Sequence, residues 1–236
     1  MDTDGNETGR PVDKWLLLAI LAAILGACFF VLARYGHVVD RSPIFRYGLR
    51  ISVVAAALAA WFTTQSLIGS RGLKEGSIGD GLHDLTAPLH RYFLAHERVT
   101  NGVLIVSSGF IDLFGLFLLG AGILGPSLRP VVALLILFAF RQLSQALCAL
   151  PAPKDMIWRH PGFPSLLVTY GVGNDFFISG HTAVAVLGAI EIAHMFPWWV
   201  GLAAGIVAFL EAAVVVTLRA HYTMDVLGAG GGGGGG

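Results

Sequence analysis

Long apolar runs dominate this chain and leave it very few ways to fold. Five are long enough to cross a bilayer: Trp15–Ala33, Ile51–Ile68, Val103–Leu124, Val131–Leu150 and Trp198–Leu218. A sixth, His181–Phe196, is shorter but stays apolar after its first residues. About 20 apolar residues span the hydrocarbon core of a membrane. Lipid offers no hydrogen-bond partners, so each spanning run must satisfy its own backbone, which a helix does. Only 13% of the 236 residues are charged and 55% are hydrophobic, whereas a soluble domain carries about 25% charged residues. The expected fold class is all-α, a polytopic membrane helix bundle of six to seven transmembrane helices. No loop is long enough to fold alone. Residues 15–229 therefore read as a single transmembrane domain behind a polar tail, residues 1–14.

Formal net charge is zero, so nothing draws this chain to nucleic acid; its partners are expected to be the bilayer and lipids. The first polar stretch holds Asp2, Asp4, Glu7 and Asp13. It lacks the basic start of a cleaved signal peptide, and Trp15–Ala33 reads as a retained anchor. Cys28 and Cys148 both fall in apolar segments and read as buried free thiols. Residues 230–236 are all glycine. A seventh helix expected near Thr223 dissolves into this run, which reads as a truncated or unassigned C-terminus.

The loop Arg34–Arg50 carries Arg34, Arg41, Arg46 and Arg50 against one acid, Asp40. The positive-inside rule makes it the best cytoplasmic segment. Alternating crossings then place Arg141–Gly180 and Arg219–Asp225 on the non-cytoplasmic side. Two crossings separate His181 from His221, so both histidines share one face whatever the absolute orientation.

The chemistry concentrates in two strings, Ser179-Gly180-His181-Thr182 and His221-Tyr222-Thr223-Met224-Asp225. A spacing of four puts His221 and Asp225 on one helix face. A carboxylate there can orient an imidazole and stabilise its charged form. Alone, the pair is equally a surface ion pair at a helix start. Ser179 suits an N-cap, Gly180 permits close backbone approach, and a free helix start favours a phosphate. His181 then stands where it can protonate a leaving oxygen. Alone, this string is also an ordinary capped helix; the two strings at one face are far more specific.

Asp175-Phe-Phe-Ile-Ser-Gly-His-Thr182 and His221-Tyr-Thr-Met-Asp-Val226 resemble the signature motifs of sphingomyelin synthases. They also resemble those of the plant phosphatidylcholine:diacylglycerol cholinephosphotransferases, both within the type-2 phosphatidic acid phosphatase (PAP2) superfamily. Arg141, followed by Leu150-Pro-Ala-Pro153, matches a third family feature, and a weaker likeness reaches back to about His83. The resemblance implies a PAP2-like core in which His221 attacks phosphorus, Asp225 orients it, and His181 passes the proton. It implies substrate contacts from Arg141, Ser179, Gly180, Arg219, Tyr222 and Asp175, with no metal and no other cofactor. Two family features differ. The Lys-x6-Arg-Pro string of the phosphatases does not occur, and Ile178 stands where Pro-Ser-Gly-His has its proline. Arg219 replaces a histidine typical of sphingomyelin synthases. A sparse cationic cradle suits a singly charged phosphodiester better than a phosphomonoester.

The expected function is transfer of a phospho-headgroup, phosphocholine, from a phospholipid to diacylglycerol or ceramide. The alternatives are a metal-independent lipid phosphate phosphatase, with water as acceptor, and a catalytically silent scaffold or lipid carrier. A choline headgroup would want aromatic faces, and Trp158, Tyr170, Phe176, Phe177 and Tyr222 lie on the same side. Asp112, Glu191 and Glu211 fall inside apolar segments, where a paired or protonated structural role is expected. His83, His90 and His96 lack a usual ligand spacing, and Leu82–His96 reads as an amphipathic interfacial helix.

Overall fold

Pro43 opens the first continuous helix, where a missing N–H costs nothing. The structure, a computed structural model, describes residues 43–69, 76, 78–170 and 176–231, with Ala23, Gly26 and Phe30 of the first apolar run. Among the described residues, the continuous helices in chain order are α1 (Pro43–Gly69), α2 (Gly81–Leu85), α3 (Ala87–Ala95), α4 (Glu97–Leu124), α5 (Arg129–Leu147), α6 (Gly180–Met195), α7 (Trp198–Thr217) and α8 (Thr223–Gly231). No strand occurs among the described residues. The expected tail 1–14, most of the anchor Trp15–Ala33, Asp175 and the last five glycines lie outside them.

The bundle is all-α, but the expected count of six to seven transmembrane helices in a PAP2-like core is corrected here. Four of the described helices, α1, α4, α5 and α7, are long and apolar enough to cross a membrane. These four make the chain a multi-pass membrane protein. Helix α6 has 16 residues, about 24 Å at 1.5 Å per residue, against a core of about 30 Å. Its apolar composition has another cause. It packs against α4, α5, α7 and α8, and Ala183, Ala185, Leu187 and Ala189 are all buried. A helix apolar on every side can be surrounded by protein as well as by lipid, and composition does not tell these apart. Helix α8 is only nine residues long.

Small residues let the helices approach. A Cβ on Gly188 of α6 would fall 2.5 Å from the Phe114 ring of α4, and one on Gly201 of α7 would fall 2.7 Å from Ala193 Cβ. Such close packing is what holds helices together where lipid gives no hydrophobic drive. At one end of the bundle, buried Arg50 donates to the carbonyls of Gly125 (2.5 Å) and Ile123 (3.3 Å), satisfying the end of α4. At the same end Arg129 pairs with buried Glu191 at 3.1 Å, so that intramembrane acid is paired as expected. Residues 148–170 and 176–179 lie at the other end.

The first of these segments is anchored by Asp112 of α4. Its carboxylate accepts from Ser165 Oγ (3.0 and 2.9 Å) and from the N–H groups of Leu166 and Leu167 (2.9 Å each). Glu211 of α7 accepts from Ser107 Oγ at 2.5 Å. The expected interfacial helix Leu82–His96 is instead two helices, broken at Thr86. His83 and His90 are buried, turned inward for a reason that lies in the site.

Candidate active site

The turn that carries His221 is built by a helix stop. Helix α7 ends in a Schellman pattern, Ala220 N–H to Val215 O and Arg219 N–H to Val216 O, both 3.0 Å. The residue between must be left-handed, and Arg219 takes φ 55° there. Four groups hold the turn. His90 Nδ1 donates to Thr217 O at 2.9 Å, and His83 Nε2 donates to His221 O at 3.0 Å. Asp80 accepts from Thr223 N–H and from Thr223 Oγ1, both at 2.6 Å. Tyr222 hydroxyl donates to Pro151 O at 3.1 Å. Asp80 also caps α2 through Leu82 and His83 N–H. Burial pushes the Asp80 carboxyl up, but the bonds from Thr223 and His83 outweigh it and leave the group below its ordinary value of 3.8.

His221 Nδ1 lies 2.8 Å from Phe176 O. A carbonyl only accepts, so Nδ1 carries the hydrogen and Nε2 keeps its lone pair. Asp225 Oδ2 is 3.9 Å from Nδ1, too far for a hydrogen bond. The Asp225 side chain is fully buried. Its Oδ2 accepts from Tyr222 N–H at 3.0 Å, and its Oδ1 has no partner among the described residues. Its backbone carbonyl accepts from Ser179 N–H at 3.2 Å. Asp225 thus joins the two sequence motifs physically.

Ser179 caps α6, its Oγ accepting from Thr182 N–H (3.3 Å) and Thr182 Oγ1 (3.2 Å). His181 follows in the first turn, outside the four spans, with Trp158 packed edge-on at 4.9 Å. Burial, then the nearby His221 and Arg141, push His181 down to about 3. It is therefore neutral in the empty site. Arg141, at the end of α5, lies over the start of α6: a Cβ on Gly180 would sit 3.2 Å from its Nε.

Arg141, Gly180, His181 and His221 line one cavity whose remaining wall is mostly apolar, from α1, α4, α5 and α6. Arg219 and Tyr222 are placed differently. Arg219 donates to Lys154 O (3.2 Å) and faces Asp155 at 3.7 Å, while Tyr222 is buried against His83. Asp175 lies outside the described residues. Of the aromatics singled out by sequence, Trp158 and Tyr170 pack on each other at 5.1 Å and Phe176 meets the His221 ring edge-on. The aromatics lining the cavity are Trp61 and Phe138, stacked at 5.3 Å. Sequence reading missed these two, and it missed Asp80, His83 and His90 as supports. Trp61 and Phe138 sit in apolar runs where any aromatic reads as lipid-facing. Among the described residues, no three His, Cys, Asp or Glu cluster as a metal site.

Spanning helices thus surround two half-buried histidines that share a mostly apolar cavity with a buried arginine. The family model AtPDCT1/2 matches residues 80–235. The chain belongs to that family, the phosphatidylcholine:diacylglycerol cholinephosphotransferases, whose members transfer phospho-headgroups in the membrane. No curated protein and no solved structure matches it.

Proposed function

We propose that this protein transfers phosphocholine from phosphatidylcholine to a lipid hydroxyl, diacylglycerol or ceramide, through a phosphohistidine on His221. The observation that carries this reading is the fixed tautomer of His221, whose Nε2 lone pair shares a cavity with His181, Arg141 and Gly180. Nε2 attacks phosphorus and forms the N–P bond. The P–O bond to the donor glycerol breaks, its electron pair leaves with oxygen, and His181 supplies the proton. The acceptor hydroxyl then gives its proton back to His181 and attacks phosphorus, and the N–P electron pair returns to Nε2. No proton is consumed over the cycle.

Burial first, then His221 and Arg141, hold His181 down at about 3. A bound phosphodiester anion beside the ring favours its protonated form, which is the form that gives a proton to the leaving oxygen. Asp225 stabilises the positive ring of phosphorylated His221. One guanidinium beside one helix start matches a single negative charge, and the apolar wall takes the acyl chains. This is the chemistry implied by the likeness of both motifs to sphingomyelin synthases and the PAP2 superfamily. Arg219 and Tyr222 brace the turn that carries His221 through Lys154 and Pro151. The arginine-rich segment Arg34–Arg50, with the single acid Asp40, leads into the other end of the bundle and assigns that end to the cytoplasm, against Arg91, Arg98, Lys154 and Arg159 toward the site end.

The test is incubation in vesicles with headgroup-labelled phosphatidylcholine, unlabelled diacylglycerol or ceramide, and EDTA. Label should move to the acceptor lipid, and His221→Ala should reduce transfer by about 10³-fold or more, as expected for a lost nucleophile. Release of water-soluble phosphocholine would make it a hydrolase. Equal transfer by His221→Ala would remove His221 from the mechanism.

A further inference from the structure

The cation that lines the cavity is held by a residue outside the family-matched segment. Arg141 Nη1 donates to Gln65 Oε1 of α1 at 2.7 Å, and the neighbouring Gln142 Nε2 donates to the same oxygen at 3.3 Å. Arg141 and Gln142 are both buried. A buried guanidinium needs acceptors that match its planar fork, and a bond of this length fixes one edge of it. The other edge lies against the start of α6, since a Cβ on Gly180 would meet Nε at 3.2 Å and Cζ at 3.4 Å. The guanidinium is thus bracketed between α1 and the N-terminus of α6. Trp61, one turn before Gln65, lines the same cavity, so α1 is wall and bracket together.

The chemical identity of the acceptor matters. A carboxylate at position 65 would hold the same geometry but cancel the charge that an anion is to meet. An amide oxygen fixes the fork and leaves its unit charge intact. We propose that Gln65 is a positioning residue, holding the Arg141 guanidinium across the start of α6 so that a lipid phosphodiester is gripped between them. The proposal rests on the reading of Arg141 as the phosphate-binding cation given above. It assigns to α1, which the family match leaves out, a part in substrate binding.

The experiment uses the full chain in vesicles and two readouts: equilibrium binding of labelled inorganic phosphate, and headgroup transfer. The variants are Gln65→Ala, the near-isosteric Gln65→Glu, Arg141→Ala and the double variant Gln65→Ala/Arg141→Ala. Gln65→Ala should weaken phosphate binding about tenfold, the scale of one charge-assisted hydrogen bond, and raise KM for the donor lipid more than it lowers kcat. Gln65→Glu, whose carboxylate stays ionised beside the guanidinium, should bind phosphate more weakly at pH 8 than the unaltered protein does. In the Arg141→Ala background, Gln65→Ala should change nothing further. Equal losses in both backgrounds would overturn the proposal. So would phosphate binding by Gln65→Glu at pH 8 as tight as in the unaltered protein, or no phosphate binding by the unaltered protein. The expected binding pattern without headgroup transfer would instead sink the transfer reading and leave Gln65 its role.

Discussion

Asp80 shows how much of a site can depend on a residue that never touches substrate. Its two carboxylate oxygens accept from Thr223 and from the first turn of α2, fixing the turn that carries His221. The folded carboxyl is held below its ordinary value, so folding favours the ionised form. A depressed acid contributes stability that is present above the unfolded value, near 3.8, and lost as pH falls through the folded one. Asp80→Ala should therefore lower the melting temperature by about 2–4 °C at pH 7, the effect of roughly 1 kcal/mol in a chain of this size. Melting scans across pH should show that difference shrinking below pH 4. A constant difference down to pH 3 would separate the stability of Asp80 from its charge. His221 and Asp225 were legible as a pair from their spacing of four. The carbonyl that holds Nδ1 was not, because Phe176 lies 45 positions away and contributes only backbone, which carries no sequence signal.

At the scale of elements, α6 decides most of the architecture. It brings His181 to the cavity, packs against α4, α5, α7 and α8, and meets α4 at Gly188. Gly188→Val would drive a branched side chain into Phe114, already 2.5 Å from a bare Cβ. Overpacking of this kind costs about 1–3 kcal/mol. The variant should melt lower while its spanning helices still insert, and unchanged melting would show that Phe114 can step aside. Apolar runs were legible as helices, and four of them as spans. The role of α6 was not, because burial in protein and burial in lipid select the same residues. The break at Thr86 was hidden in a similar way. The pattern of Leu82–His96 reads as a single amphipathic helix, yet His83 and His90 turn inward because carbonyls at His221 and Thr217 await donors.

Over the whole molecule, the two ends of the bundle are chemically distinct. Arg50 and Arg129 tie helix ends together at one pole, and the two histidines and Arg141 occupy the other. If the site faces the non-cytoplasmic side, a cysteine at exposed Lys154 should react with an impermeant maleimide from that side, and one at exposed Ser127 only from the cytoplasmic side, with Cys28 and Cys148 replaced by serine. Labelling of both from one side would contradict the bundle's polarity; the reverse pattern would invert the orientation and leave the site geometry untouched. By itself, the sequence determined that this chain lives in a membrane as helices and that it carries two short histidine motifs, since apolar length and motif spacing are local properties; that His181 and His221 line one cavity is tertiary, because one of the two crossings counted between them is not a span. Only the tertiary structure decided that α6 is enclosed by protein, that Phe176 fixes the His221 tautomer, and that Gln65 brackets Arg141. Those contacts join residues 45 and 76 positions apart, and bonds of that reach depend on how helices pack rather than on any local pattern.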